Sequence, residues 1–195
     1  MEGKRLIEKI RLRNILSFGD KGEEIELLPL NVIIGQNASG KSNLVDVIKL
    51  LRSLSQEGSL SQEKGLINFI SKSGGINEWL WKGNPERKSA EIEINFSDGV
   101  DTVNYIVAFS QYKQRLKLDK ERITNVIANE VLEPKLYIDN NSILSKPLPR
   151  FIDKDKYFAF AKTRSNFANF TFFTDIETNR SSDIRKPQSI MFFEN

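Results

Sequence analysis

The residues Gly35, Gln36, Asn37, Ala38, Ser39, Gly40, Lys41 and Ser42, followed by Asn43, hold the densest chemistry in this 195-residue chain. Gly35 and Gly40 permit backbone angles that a side chain would forbid, so successive N–H groups can converge on phosphate oxygens. Lys41 supplies a point charge for β and γ phosphates, and the Ser42 hydroxyl can ligate Mg²⁺. A helix starting at this point adds the partial positive charge of its N-terminus. Types and spacing together predict a loop that binds the phosphates of ATP, with Mg²⁺ held through Ser42.

Little other chemistry is open to the chain. Cysteine and histidine are both absent, which removes disulfides, thiolate metal sites and Cys or His catalysis. Any metal must then be a hard cation on oxygen ligands, as Mg²⁺ is. The net charge of +3 is too small to argue for nucleic acid by itself. No apolar run approaches the ~20 residues that span a bilayer, and "MEGKRLIEKIRLRN" mixes charge into its apolar residues, unlike a signal peptide. The expectation is a cytoplasmic protein with no membrane partner.

The loop needs a strand to enter it and a helix to leave it. "LNVIIG" is a short, wholly apolar run suited to a buried central strand. Leu44, Val47, Ile48 and Leu51 then form one stripe of a helix reaching about Leu54. Before the loop, Ile10, Leu12, Asn14, Leu16 and Phe18 alternate as a strand, "GDKG" turns, and "EEIELL" returns as a hairpin. After it, "SQEGSLSQEKG" is a polar loop, and short helices are expected at "LINFIS" and "INEWLW". From Ser89 the period becomes two: Ala90, Ile92, Ile94 and Phe96, then Val103, Tyr105, Val107 and Phe109. Further strands at "QRLKLD", "KLYID" and "NSIL" would complete an antiparallel sheet, with "DKDKYFAFAKTRSNF" as a helix and "NFTFFTD" as a strand. The organisation reads as one domain over 1–195. It comprises the hairpin, loop and helix (1–55), a loop with short helices (56–88), the antiparallel sheet (89–150) and a final helix and strand (151–195).

A GTPase would need a DxxG element and an NKxD string, and neither occurs. A small-molecule kinase usually has its loop straight after the first strand, whereas here a hairpin comes first. The segment "IRLRNILSFGDKGEEIELLPLNVIIGQNASGKSNLVDVIKLLRSL" resembles the N-terminal part of RecF/SMC-like ABC-type ATPases, and most of all the predicted ATPases related to the OLD family. Asn37 and Asn43 fit that pattern, and "GGINEWLWKG" and "TRSNFANFTFFTDIETNRSSDIRKPQ" extend the likeness less specifically. The resemblance implies an α/β fold: a P-loop NTPase, the N-terminal lobe of an ABC-type head, with a parallel or mixed core sheet beside an antiparallel β-subdomain. It also implies partners: the C-terminal half of the head on the same or a separate chain, an ATP-dependent homodimer, and DNA.

Parts of such a head are missing from the sequence. The Asp-Glu pair of a Walker B strand occurs nowhere, and "SKSGG" reads as a turn rather than as a signature motif. Asp139 and Asp175, each ending an apolar run, are the Walker B candidates, although a turn-forming Asp is the commoner explanation. The resemblance places a phosphate-sensing Gln where Lys146 stands, and brings Arg13 or Asn14 towards the nucleotide. Lys113, Arg115 and Lys117 form a basic strip for DNA phosphates or a solvated outer face, the latter being the commoner case. The phenylalanines of "YFAFAKTRSNFANFTFF" read as core rather than as base-stacking groups, and Trp79 and Trp81 could cover a helix face or an interface. The expected function is ATP binding within a DNA maintenance, repair or anti-phage defence ATPase. The competing expectations are a nucleotide-binding regulatory module without turnover, completed by a partner chain, and an unrelated P-loop kinase.

Overall fold

The computed structural model describes residues 7–37, 39–55, 65–83, 89–97, 102–134, 142–146 and 153–171. Asp139, Asp175, Ala38 and the strands expected at "KLYID" and "NFTFFTD" lie wholly or largely outside those residues.

The alternating residues build one six-stranded sheet, every neighbouring pair antiparallel, in the order β2-β1-β3-β4-β5-β6. Its strands are β1 (Lys9–Arg13), β2 (Glu23–Glu26), β3 (Ala90–Ser97), β4 (Thr102–Tyr112), β5 (Arg115–Asn125) and β6 (Glu130–Leu132). Opposite residues share a face, so the register Ile10↔Ile94, Leu12↔Ile92, Ile94↔Tyr105 and Tyr105↔Ile123 gathers one apolar surface. The helices are α1 (Lys41–Ser55), α2 (Leu66–Lys72), α3 (Ile76–Trp79) and α4 (Lys154–Ala168). Helix α1 delivers Val47, Leu50, Leu51 and Leu54 to the core, all fully buried. Asp153 caps α4 by accepting from the Asp155 N–H at 2.8 Å. From α4, Phe167 packs edge-on against Tyr105, ring centroids 5.2 Å apart, and against Phe96 at 5.5 Å. Phe160 and Phe167 are thus core residues, as their sequence context implied.

Four expectations need correction. The first strand ends at Arg13 rather than running to Phe18, because Asn14 (φ 52°) and Leu16 (φ 51°) take left-handed backbone angles and fold the chain into a tight turn. Ile143 and Leu144 of "NSIL" belong to a 3-10 turn, Ile143–Ser145, not to a strand. Lys113 sits in the β4–β5 turn at φ 46°, so only Arg115 and Lys117 of the basic strip lie on the strand. The fourth concerns "LNVIIG", which pairs with no strand among the described residues. There Leu30, Val32 and Ile34 are 81%, 79% and 86% exposed. Asn31 instead closes a local turn, accepting from the Leu28 N–H at 2.9 Å and donating to the Leu28 carbonyl at 2.6 Å.

The β4–β5 ladder contains a bulge at Ala108 and Phe109, which face Lys120 and Leu118, so Asp119 is the extra residue. A one-residue slip sends side chains to the opposite face. Before it Leu116 and Leu118 point inward; after it Glu121, Ile123 and Asn125 do. The bulge is held by Asp119, which pairs with Lys117 at 3.1 Å and accepts from the Ser89 hydroxyl at 2.5 Å. Hydrogen bonds from Ser89, Ser110 and Lys117 outweigh its partial desolvation and hold its carboxyl below the usual range.

Candidate functional site

The strand-like approach ends at Gly35, and the chain then winds through the loop into α1. Ser39 N–H donates to the Gln36 carbonyl at 3.3 Å, and Leu44 N–H donates to the Gly40 carbonyl at 3.1 Å, the first bond of the helix. Gly40 takes the left-handed angle expected of it, whereas Gly35 does not and is crowded only by the Ser39 side chain. At Gly35 a Cβ would meet the Ser39 hydroxyl at 2.8 Å. Gly40 sits at φ 89°, and a Cβ there would lie 2.7 Å from the Ser17 Oγ.

Lys41 reaches back over this loop. Its ammonium donates to the carbonyls of Gly35 at 2.7 Å and Gln36 at 2.5 Å and lies 3.3 Å from the Ser39 hydroxyl. The charge is therefore held on the loop's own carbonyls, where a phosphate would compete with them for it. Gln36, Asn37, Ser39 and Ser42 are exposed there, and Lys41 and Asn43 are half-buried. The first turn of α1 carries no acidic residue, so no side chain of its own neutralises the helix N-terminus. Asp46, one turn on, is engaged by Lys49 at 3.1 Å. This donor set fits a triphosphate. Mg²⁺ characteristically takes phosphate oxygens, water and one or two protein oxygens, and the exposed Ser42 hydroxyl can be one of the latter. Among the described residues, no group of three or more acidic side chains forms a metal site.

Sequence reasoning missed Ser17. The turn after β1 lays its hydroxyl against Gly40, contact that no local pattern signals. That turn is fixed from the other side: Leu16 N–H donates to the Trp79 carbonyl at 2.8 Å, and Trp81 N–H to the Asn14 carbonyl at 3.0 Å. Trp79 is buried with its ring edge-on to Phe69, while the Trp81 indole packs on Gly19 and Gly83. The tryptophans thus serve the turn. The Arg13 guanidinium pairs with Glu91 at 3.1 Å. Asn14 is buried, donates to the Ser89 carbonyl at 3.4 Å, and leaves its Oδ1 without a hydrogen-bond partner. Lys146 closes the 3-10 turn, its N–H donating to the Ile143 carbonyl at 3.1 Å.

Gly40→Ala combines a left-handed angle with a collision. We expect it to cost about 1–3 kcal/mol of stability and to abolish phosphate binding. Urea midpoints and a phosphate-ligand titration measure the two effects, and wild-type behaviour in both would mean that the loop does not require this geometry. Adding Ser17→Gly should relieve the collision but not the backbone angle, and so restore stability only in part.

A family model described as "AAA domain, putative AbiEii toxin, Type IV TA system" matches residues 30–166. The chain belongs to this family. As an AAA domain of this family it is implied to bind a nucleotide, and the matched residues contain the loop, α1, strands β3 to β6 and most of α4. The AAA domain is 34% identical over 91 residues to the DNA replication and repair protein RecF of Bacillus cytotoxicus, which covers 47% of this chain and 23% of RecF. It is 50% identical over 44 residues to the DNA double-strand break repair Rad50 ATPase of Thermoplasma volcanium, covering 23% of this chain and 5% of Rad50. The chain therefore spans only about a quarter of the length of the RecF relatives it matches. A solved chain from work on ATP-driven dimerization and DNA-stimulated activation of SMC ATPases is 22% identical, with a TM-score of 0.36 over 57% of this chain and 71% of that one. The resemblance to RecF/SMC-like ABC-type ATPases, and the α/β P-loop class it implies, are supported by the family and these relatives. Among the described residues, no helix is long and apolar enough to cross a membrane.

Proposed function

We propose that this chain is the ATP- and Mg²⁺-binding N-terminal lobe of a RecF/SMC/OLD-like ATPase, acting in DNA maintenance, repair or defence against foreign DNA. The observation that carries the ATP reading is the loop itself: a lysine ammonium folded onto the loop carbonyls, beside a left-handed glycine, at the start of a helix without acidic residues in its first turn. Gly35, Gln36, Asn37, Ala38, Ser39, Gly40, Lys41 and Asn43 line the phosphates, and Ser42 also ligates the metal. The DNA role is supported by the similarity to RecF, a DNA replication and repair protein, and to Rad50, a DNA double-strand break repair ATPase.

The second partner is the C-terminal half of the head, in the same chain or another. Leu30, Val32 and Ile34 read as a buried central strand yet are exposed, and exposed apolar backbone of this kind is a template for strand pairing. A neighbouring strand from that half would pair with 30–34 and cover it. Such heads would then associate as an ATP-dependent homodimer. The absence of an Asp-Glu pair favours a related reading for the chain by itself, a nucleotide-holding module without turnover.

Calorimetric titration tests the first step. Mg·ATP should bind measurably, and inorganic tripolyphosphate should compete with it for the same loop. No binding of either ligand would refute the proposal.

A further inference from the structure

Glu121 is the one fully buried carboxylate among the described residues, and the nucleotide reading does not use it. The bulge at Asp119 turns it inward, where three donors meet it. Tyr105 OH donates to Oε1 at 2.7 Å, Ser142 Oγ donates to Oε1 at 2.5 Å, and Ile143 N–H donates to Oε2 at 2.7 Å. Two of the three come from residues 142–146, far along the chain from β5. Ser142 is buried and accepts in turn from Leu144 N–H at 3.0 Å, which caps the 3-10 turn. Leu144 is fully buried, and the turn lies against both α1 and α4. Burial raises the Glu121 carboxyl above the usual range, against the hydrogen bonds from Ser142, Ile143 and Tyr105 and the nearby Lys146 charge, which favour the ionised form.

A buried carboxylate is an unusual way to hold a short segment. Leaving its oxygens unpaired is costly, so the segment's bonds form or break together rather than one by one. The same segment touches α1, whose first residues form the phosphate loop. We propose that residues 142–146 act as a strap joining the antiparallel sheet to α1, with Glu121 as the positioning residue that holds the strap down. Nucleotide at the loop and closure of the strap then favour one another; that link to the ligand rests on the proposed nucleotide reading.

The test is residue-resolved hydrogen exchange on the full chain. In Glu121→Gln the Ile143 and Leu144 amides should exchange about tenfold faster or more, the scale of one hydrogen bond to a charged group. Amides of α1 should loosen with them, while those of β3 and β4 hold. Ser142→Ala, which leaves the sheet side intact, should do the same and covers the case in which Glu121→Gln does not fold. Unchanged exchange at Ile143 and Leu144 overturns the strap, and a loosened strap with α1 unchanged overturns the coupling. Because coupling between two sites is reciprocal, Mg·ATP should slow exchange at the strap in wild type but not in Lys41→Ala. ATP that binds by calorimetry without slowing it also overturns the coupling. Absence of ATP binding refutes the nucleotide reading alone, and the strap then stands or falls on α1 exchange in the variants.

Discussion

Lys41→Ala should weaken Mg·ATP binding roughly tenfold to a hundredfold. The ammonium reaches into the loop through the Gly35 and Gln36 carbonyls. Without it the phosphates keep backbone N–H groups, the α1 N-terminus and the Ser42 hydroxyl. Losing one charge-assisted contact typically costs ~1.5–3 kcal/mol, and each ~1.4 kcal/mol is tenfold in affinity. The fold should be untouched, because Lys41 makes only loop contacts and its side chain is not part of the core. Calorimetry of wild type and variant, with urea midpoints as the control, decides it. Equal affinities would remove Lys41 from the site.

Turnover should show a larger effect still. Phosphoryl transfer is mostly positioning and charge stabilisation, and it needs a group to orient the attacking water. The loop provides donors for the phosphates, but Asp46, one turn into α1, is paired with Lys49. We therefore expect phosphate release by these 195 residues to match that of Lys41→Ala. Supplying the C-terminal half of the head, fused or as a second chain, should raise it about a thousandfold or more, the scale on which groups supplied in trans act in such reactions. Brisk turnover by the chain alone, lost in Lys41→Ala, would reject the partial-head proposal. Asp139 and Asp175 would then be the first carboxylates to replace.

What could be read from the sequence was whatever depends on short spacing. The loop is a motif of eight adjacent residues, α1 is a stripe with helical period, and β3 and the first half of β4 are runs of strict alternation. Each of these signals is complete within about fifteen residues, so they survive without knowledge of the rest of the chain. Of the α4 phenylalanines read as core, Phe160 and Phe167 are buried, whereas Phe158 is exposed.

The tertiary structure decided everything that depends on partners distant in sequence. "LNVIIG" has the composition of a central strand, but a strand exists only where another strand accepts its hydrogen bonds, and composition does not supply one. Ser17 meets Gly40 because the β1 turn is tied to Trp79 and Trp81, some sixty residues on. Ile143 and Leu144 are apolar enough to be strand, yet they lie in a 3-10 turn whose Ile143 N–H bonds to Glu121. Glu121 itself would read as a surface residue between Lys120 and Arg122. One extra residue in the β5 ladder turns it inward, because side chains alternate across a sheet and a single insertion reverses which of them the core receives.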